Sequence, residues 1–129
     1  MASPDNVAAA ALIKALNTAN EFYIDEGCHI IELTTAEEDP TLSIARCRVE
    51  PGKTTRWHRL RGTTERYLIQ SGIGVAEVGE LPPQVVKAGD IVLIPSGCRQ
   101  RIQNSGSADL LFLAVCSPRF SPDVYEDIG

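Results

Sequence analysis

Hydrophobic and polar residues alternate with a period of two from residue 21 to about residue 116. Successive side chains of a β-strand point to opposite faces, so this alternation reads as a series of half-buried strands. It predicts strands over residues 22–24, 29–34, 42–49, 56–60, 65–70, 75–78, 84–86, 91–94, 99–103 and 110–115. Turn-forming residues fill the breaks, among them Pro51-Gly52, Ser71-Gly72, Pro82-Pro83, Gly89-Asp90, Ser96-Gly97 and Asn104-Ser105-Gly106. Many short strands with no helix between them predict a sandwich or barrel. Ahead of them, Ser3-Pro4 supplies a hydroxyl cap and a proline suited to a first helical turn. Residues 5–16 then place Val7, Ala11, Leu12 and Leu16 on adjoining stripes, which predicts a short amphipathic helix on the outside of the domain. The chain thus divides into an N-terminal helical segment (1–20), a barrel (21–116) and an extended C-terminal tail (117–129). Pro118 and Pro122 argue against regular structure in that tail, yet Phe120 and Tyr125 need cover, so it is expected along the barrel or against a second subunit.

Composition changes this picture little. A chain of 129 residues suits one domain with its own core. Its net charge of −5 favours solubility and argues against a nucleic-acid partner. No run approaches the roughly 20 apolar residues of a membrane span, and no signal-type N-terminus is present, so a cytoplasmic protein is expected. Cys28, Cys47, Cys98 and Cys116 form no CxxC pair and are expected as free thiols.

The candidate chemistry lies between residues 51 and 104. A Pro51-Gly52 turn leads into a strand with His58 and Leu60 on one face; a polar loop follows, then Glu65 on the next strand, closed by Gly72. Downstream, the strand after Gly89 ends at Pro95-Ser96-Gly97, which turns the chain back and presents Gln100, with Asn104 beyond. These spacings resemble the two signature motifs of the cupin superfamily, with Leu60 and Gln100 standing where histidines are usual. The resemblance implies an all-β fold, a double-stranded β-helix or jelly-roll barrel with a pocket at one end, to which the residues add the short N-terminal helix. It also implies a metal site of three histidines and a glutamate, here reduced to His58, Glu65 and Gln100. Leu60 offers no donor, and an amide oxygen is a poor partner for a transition metal. The reduced set is a candidate for a divalent ion such as zinc, nickel, iron or manganese, for a metal-free acid–base pair, or for a polar cluster that merely fills the barrel. Cys98, on the parity of Gln100, could add a sulfur, whereas His29 lies on another strand and is not assigned.

Further contacts follow from strand parity. Arg56 shares the face of His58 nearer the mouth and is the candidate grip for a ligand carboxylate or phosphate. Arg59, Arg61, Arg99 and Arg101 are expected to point outward. Trp57, Tyr67, Ile69, Val92, Ile94, Ile102 and Phe112 are the candidate apolar walls, and Tyr67, on the face of Glu65, is a candidate proton donor. His58, Glu65 and Tyr67 are therefore the expected catalytic groups, with Arg56, Gln100 and Ile102 as ligand contacts. Three functions remain open: a metal-dependent isomerase, lyase or dioxygenase; a metal-free module that binds or senses a small molecule; and a structural protein without catalysis. An open barrel has strand edges that need cover, and small cupins commonly pair, so a homodimer is expected.

Overall fold

The computed structural model describes residues 10–129. The strands are β1 (Phe22–Ile24), β2 (Cys28–Glu32), β3 (Ser43–Val49), β4 (His58–Leu60), β5 (Thr64–Ser71), β6 (Ile73–Val78), β7 (Gln84–Lys87), β8 (Ile91–Ile94), β9 (Gln100–Asn104), β10 (Leu110–Ser117) and β11 (Tyr125–Asp127). All pairings are antiparallel, in two sheets ordered β1-β2-β3-β10-β5-β8 and β11-β4-β9-β6-β7. The sheets face each other as the two layers of a jelly-roll barrel. Inward positions alternate with outward ones as the sequence pattern requires, most regularly along β10, where Leu110, Phe112, Ala114 and Cys116 are buried. Phe112, Ile94, Ile102, Leu110 and Val49 form the fully buried centre of the core.

Each of the ten predicted strands is present, shifted at its ends by a residue or two. Two expectations need correction. The start of the predicted N-terminal helix lies outside the described residues, and residues 10–17 contain no helix; a single 3-10 turn follows at Thr18–Asn20, where Asn17 Oδ1 accepts from the Ala19 N–H at 3.0 Å. Short helices draw most of their stability from packing an apolar stripe, and Leu12, Ile13 and Leu16 are all exposed here. The tail, by contrast, gains a strand. Both prolines precede Tyr125, so the last residues are free to pair, and β11 hydrogen-bonds to β4 with Tyr125 opposite Leu60 and Asp127 opposite His58.

Backbone demands explain the turn residues that frame the site. Gly72 sits at φ +88°, and a Cβ there would meet the Asp109 carbonyl oxygen at 2.7 Å and Leu110 Cα at 2.9 Å. Asn104, wholly buried, donates from Nδ2 to the Val49 and Ala108 carbonyls at 2.8 Å each and accepts from the Gly106 N–H at 2.9 Å. It thereby ties the turn after β9 to both neighbouring segments. No described helix is long and apolar enough to cross a membrane.

The close approach at Gly72 is testable. Gly72→Ala combines left-handed strain with a backbone clash, and urea denaturation is expected to show a loss of about 2 kcal/mol or more. A variant within experimental error of wild type would show that this turn relaxes freely.

Candidate functional site

β4 and β9 lie side by side, with His58 directly opposite Gln100. On the facing sheet, β5 carries Glu65 and Tyr67 inward at alternate positions. The four side chains meet in the interior and are buried, as is Leu60. Tyr67 links the two layers: its hydroxyl donates to Gln100 Oε1 at 2.5 Å, and its ring packs on Phe112 with centroids 4.4 Å apart. With Oε1 engaged, the Gln100 amide nitrogen is oriented away from Tyr67. That nitrogen and Glu65 Oε1 are the two buried polar side-chain atoms without a hydrogen-bond partner among the described residues. Glu65 Oε2 accepts a weak bond from the Cys116 thiol at 3.6 Å. Burial pushes the Glu65 carboxyl up; the Gln100 amide pulls it down without reaching hydrogen-bonding geometry, and the Glu26 charge adds to the rise.

His58 has a settled tautomer. Its Nδ1 lies 2.7 Å from the Arg56 carbonyl, which can only accept, so Nδ1 carries the proton. Nε2 then turns a lone pair toward Glu26 Oε2, 3.4 Å away. Burial pushes Glu26 up to about 7 and pushes His58 down, so burial favours the neutral form of each over a fixed ion pair. The tail completes this end of the barrel. Tyr125 stacks on the His58 ring at 5.1 Å, and burial raises its hydroxyl to about 12.

Glu26 and Tyr125 were missed by sequence reasoning. Glu26 lies two residues before Cys28, an inward position of β2, so extending that strand's parity through the Gly27 turn would have flagged it. Nothing in the sequence pairs Tyr125 with His58. Arg56 is placed differently from the expectation. Regular pairing of β4 begins at His58, so alternation does not carry back to residue 56; Arg56 is half exposed and its Nε donates to Asp127 at 2.6 Å. Ile102 is buried in the apolar core opposite Ala76. The four outward arginines lie as expected. Arg59 and Arg61 reach Glu126 at 2.6 and 2.7 Å, while the Arg99 and Arg101 guanidiniums lie over Trp57 at 4.5 and 4.4 Å. His29 pairs with Glu50 at 2.8 Å, away from the site. All four cysteines are free.

The residues present do not fit the family's usual metal centre. Leu60 fills one ligand position, and the oxygen that Gln100 could offer is held by Tyr67. No group of three or more His, Cys, Asp or Glu side chains among the described residues is placed to hold an ion. What the arrangement offers is a carboxyl–imidazole pair at the mouth, a second protonatable carboxyl deeper in, and one amide N–H without a partner.

Comparison with known proteins agrees with this architecture. A family model for the cupin domain matches residues 45–116. An oxalate-binding protein from Thermotoga maritima is 40% identical over 72 residues, which span 55% of this chain and 58% of that protein. The match thus covers little more than half the length of this curated relative. A crystal structure of a predicted oxalate decarboxylase from Thermotoga maritima superposes with a TM-score of 0.66 at 31% identity, covering 70% of this chain and 80% of the other. An uncharacterised double-stranded β-helix protein from Klebsiella pneumoniae gives a TM-score of 0.73 at 15% identity over 92% of this chain and 99% of its own, a likeness of fold alone.

Two measurements test this geometry. Tyr67→Phe strands the buried Gln100 oxygen, and chemical denaturation is expected to show a loss of about 1–3 kcal/mol; an unchanged midpoint would mean the bond holds nothing in place. The raised Glu26 value carries a sign: the folded state holds this proton more tightly, so the stability it contributes is full below about 4.5 and is lost as pH rises toward about 7. His58, shifted down, acts in the opposite sense, so the informative quantity is the difference between wild type and Glu26→Gln. That difference is expected to shift across the window from about 4.5 to 7 and to be flat outside it.

Proposed function

This chain belongs to the cupin family, and we propose that it binds a small uncharged molecule in its barrel without a resident transition metal, using Glu26, His58 and Glu65 to hold and move protons. The observation that carries this reading is the fate of Gln100, whose only oxygen is occupied by Tyr67 while its N–H₂ remains open. A group so arranged presents its donors to a ligand and keeps a single lone pair of its oxygen for a cation. Electrostatics supports the same reading. Two carboxyls face the interior, and Arg56, the expected counter-charge, is tied to Asp127 outside. A dianion would meet carboxyls with no cation to offset them, whereas a neutral ligand would not. Proton transfer, as in an isomerisation or elimination, suits these groups; oxygen chemistry calls for a firmly held metal, for which this donor set is thin.

The likeness to the oxalate-binding protein supports a second reading, in which a divalent zinc, nickel, iron or manganese ion at His58, Glu65 and Gln100 bridges a small dicarboxylate. That requires Tyr67 to release Gln100. The same proposals place the protein in the cytoplasm, in keeping with its free cysteines, and as a homodimer.

Elemental analysis after supplementation with those four metals, followed by calorimetry with oxalate with and without a chelator, separates the two readings. The first expects no stoichiometric metal and no oxalate binding, together with saturable binding of a neutral compound in a thermal-shift screen that survives the chelator and is lost in His58→Ala. Stoichiometric metal with chelator-sensitive oxalate binding would establish the second and sink the first.

A further inference from the structure

The last residues of the chain, 122–129, cover one face of the His58 ring and are fastened there from the surface. β11 lies at the edge of its sheet, paired on one side only and over three residues. β5 and β9, which carry Glu65, Tyr67 and Gln100, are each paired on both sides. Tyr125 stands opposite the buried Leu60 and so faces inward, its ring stacked on His58 at an interplanar angle of 23°. His58 beneath it is 3% exposed.

Two kinds of contact fasten this segment. Backbone bonds tie its ends, from the Arg61 N–H to the Val124 carbonyl at 2.9 Å and from the Ile128 N–H to the Trp57 carbonyl at 3.0 Å. Between them run three ion pairs, Arg56 with Asp127 and both Arg59 and Arg61 with Glu126. Their side chains are 31% to 61% exposed, so each pair contributes little and is screened by salt. The residues just before are anchored more firmly. The Arg119 guanidinium donates to the Asp39 and Leu42 carbonyls at 2.9 and 3.0 Å and to Thr34, the buried Thr63 hydroxyl donates to the Pro118 carbonyl, and the Phe120 N–H donates to Ser43 Oγ at 3.0 Å. We propose that residues 122–129 are a strap that pivots after this anchor, and that a molecule from solution reaches His58 by the side the strap uncovers. The strap is independent of the two readings of the interior given above, both of which need a route to His58.

Lifting the strap breaks one short strand pairing, one ring stack and three screened ion pairs, whereas parting β5 or β9 from the barrel breaks pairings on two sides. Segments held by few and exposed bonds open at a lower free energy than the rest of a fold. His58 supplies the readout. Its Nδ1 is engaged by the Arg56 carbonyl, its Nε2 keeps a lone pair, and burial favours the uncharged ring, so the imidazole is a nucleophile that lacks only access. His29, the other histidine of the chain, lies on β2 with its side chain 21% exposed and gives an internal comparison.

The test is acylation by diethyl pyrocarbonate, read by peptide mass spectrometry at His58 and His29, with N-acetylhistidine as the standard for reagent reactivity. In wild type at low salt, His58 is expected to react at least about tenfold more slowly than His29. The double variant Arg59→Ala/Arg61→Ala is expected to raise the His58 rate about threefold or more and to leave His29 unchanged. Salt at about 0.5 M is expected to raise the wild-type His58 rate relative to the standard. Both arginines are exposed, so the variant is expected to fold, with circular dichroism as the check; should it fail to fold, the salt series on wild type decides alone. His58 reacting as fast as His29 in wild type at low salt would show that the tail does not shield it and would overturn the strap. So would a His58 rate that the folded variant leaves unchanged, or a rise matched by reaction of the buried Cys47 with a thiol reagent, which would mean that the whole barrel opens.

Discussion

The hydrogen bond from Tyr67 to Gln100 is the contact on which the site's character depends. It spans the gap between the two sheets, so it couples the spacing of the layers to the orientation of one amide. An amide holds its acceptor oxygen and its NH₂ donors in fixed relation, so a bond to the oxygen sets the direction of the donors. A glutamine at this position without the tyrosine could turn either end inward. With the tyrosine, the interior receives an N–H, and a position that elsewhere in the family would carry a metal ligand becomes a donor. Leu60 reinforces the change by filling a second ligand position with hydrocarbon.

The carboxyls follow from the same constraint. Glu65 is left with one oxygen on a thiol and the other unbonded, and burial favours its neutral form. Glu26 finds the lone pair of His58 instead of a cation. Burial thus favours the neutral forms of Glu26, His58 and Glu65. Charge is kept to the outside, where Arg56, Arg59 and Arg61 grip the acidic tail. Such exposed pairs are individually weak, but three of them flank the β4–β11 pairing and align it.

The barrel was legible because its signals are local. Period-two alternation and the glycines and prolines between strands depend on each residue's own neighbours, and they located every strand from Phe22 to Ser117. His58, Glu65, Tyr67 and Gln100 were legible for the same reason, since parity decides which face a strand residue occupies. The failures are non-local. Arg56 was assigned by carrying parity past the point where β4 begins to pair. Glu26 escaped because the Gly27 turn interrupts its strand, although the side chain still faces inward. The helix expected over residues 5–16 had a suitable stripe, but over the described residues it had no surface to lay that stripe against. β11 and the stacking of Tyr125 on His58 depend on where the tail returns in space, which no short-range pattern records.

Trp57 gives one of these features a practical use. It is the sole tryptophan of the chain and stands just before β4, with two guanidiniums over its ring. Its carbonyl accepts from the Ile128 N–H at 3.0 Å, and a Cβ on Gly129 would lie 3.3 Å from its own Cβ. The indole thus stands against the last residues of the tail, one position from His58. Its ultraviolet emission depends on the charge and water around the ring, so any movement of the tail away from the barrel mouth changes the spectrum. The protein carries its own unlabelled optical reporter for the seating of its tail against β4.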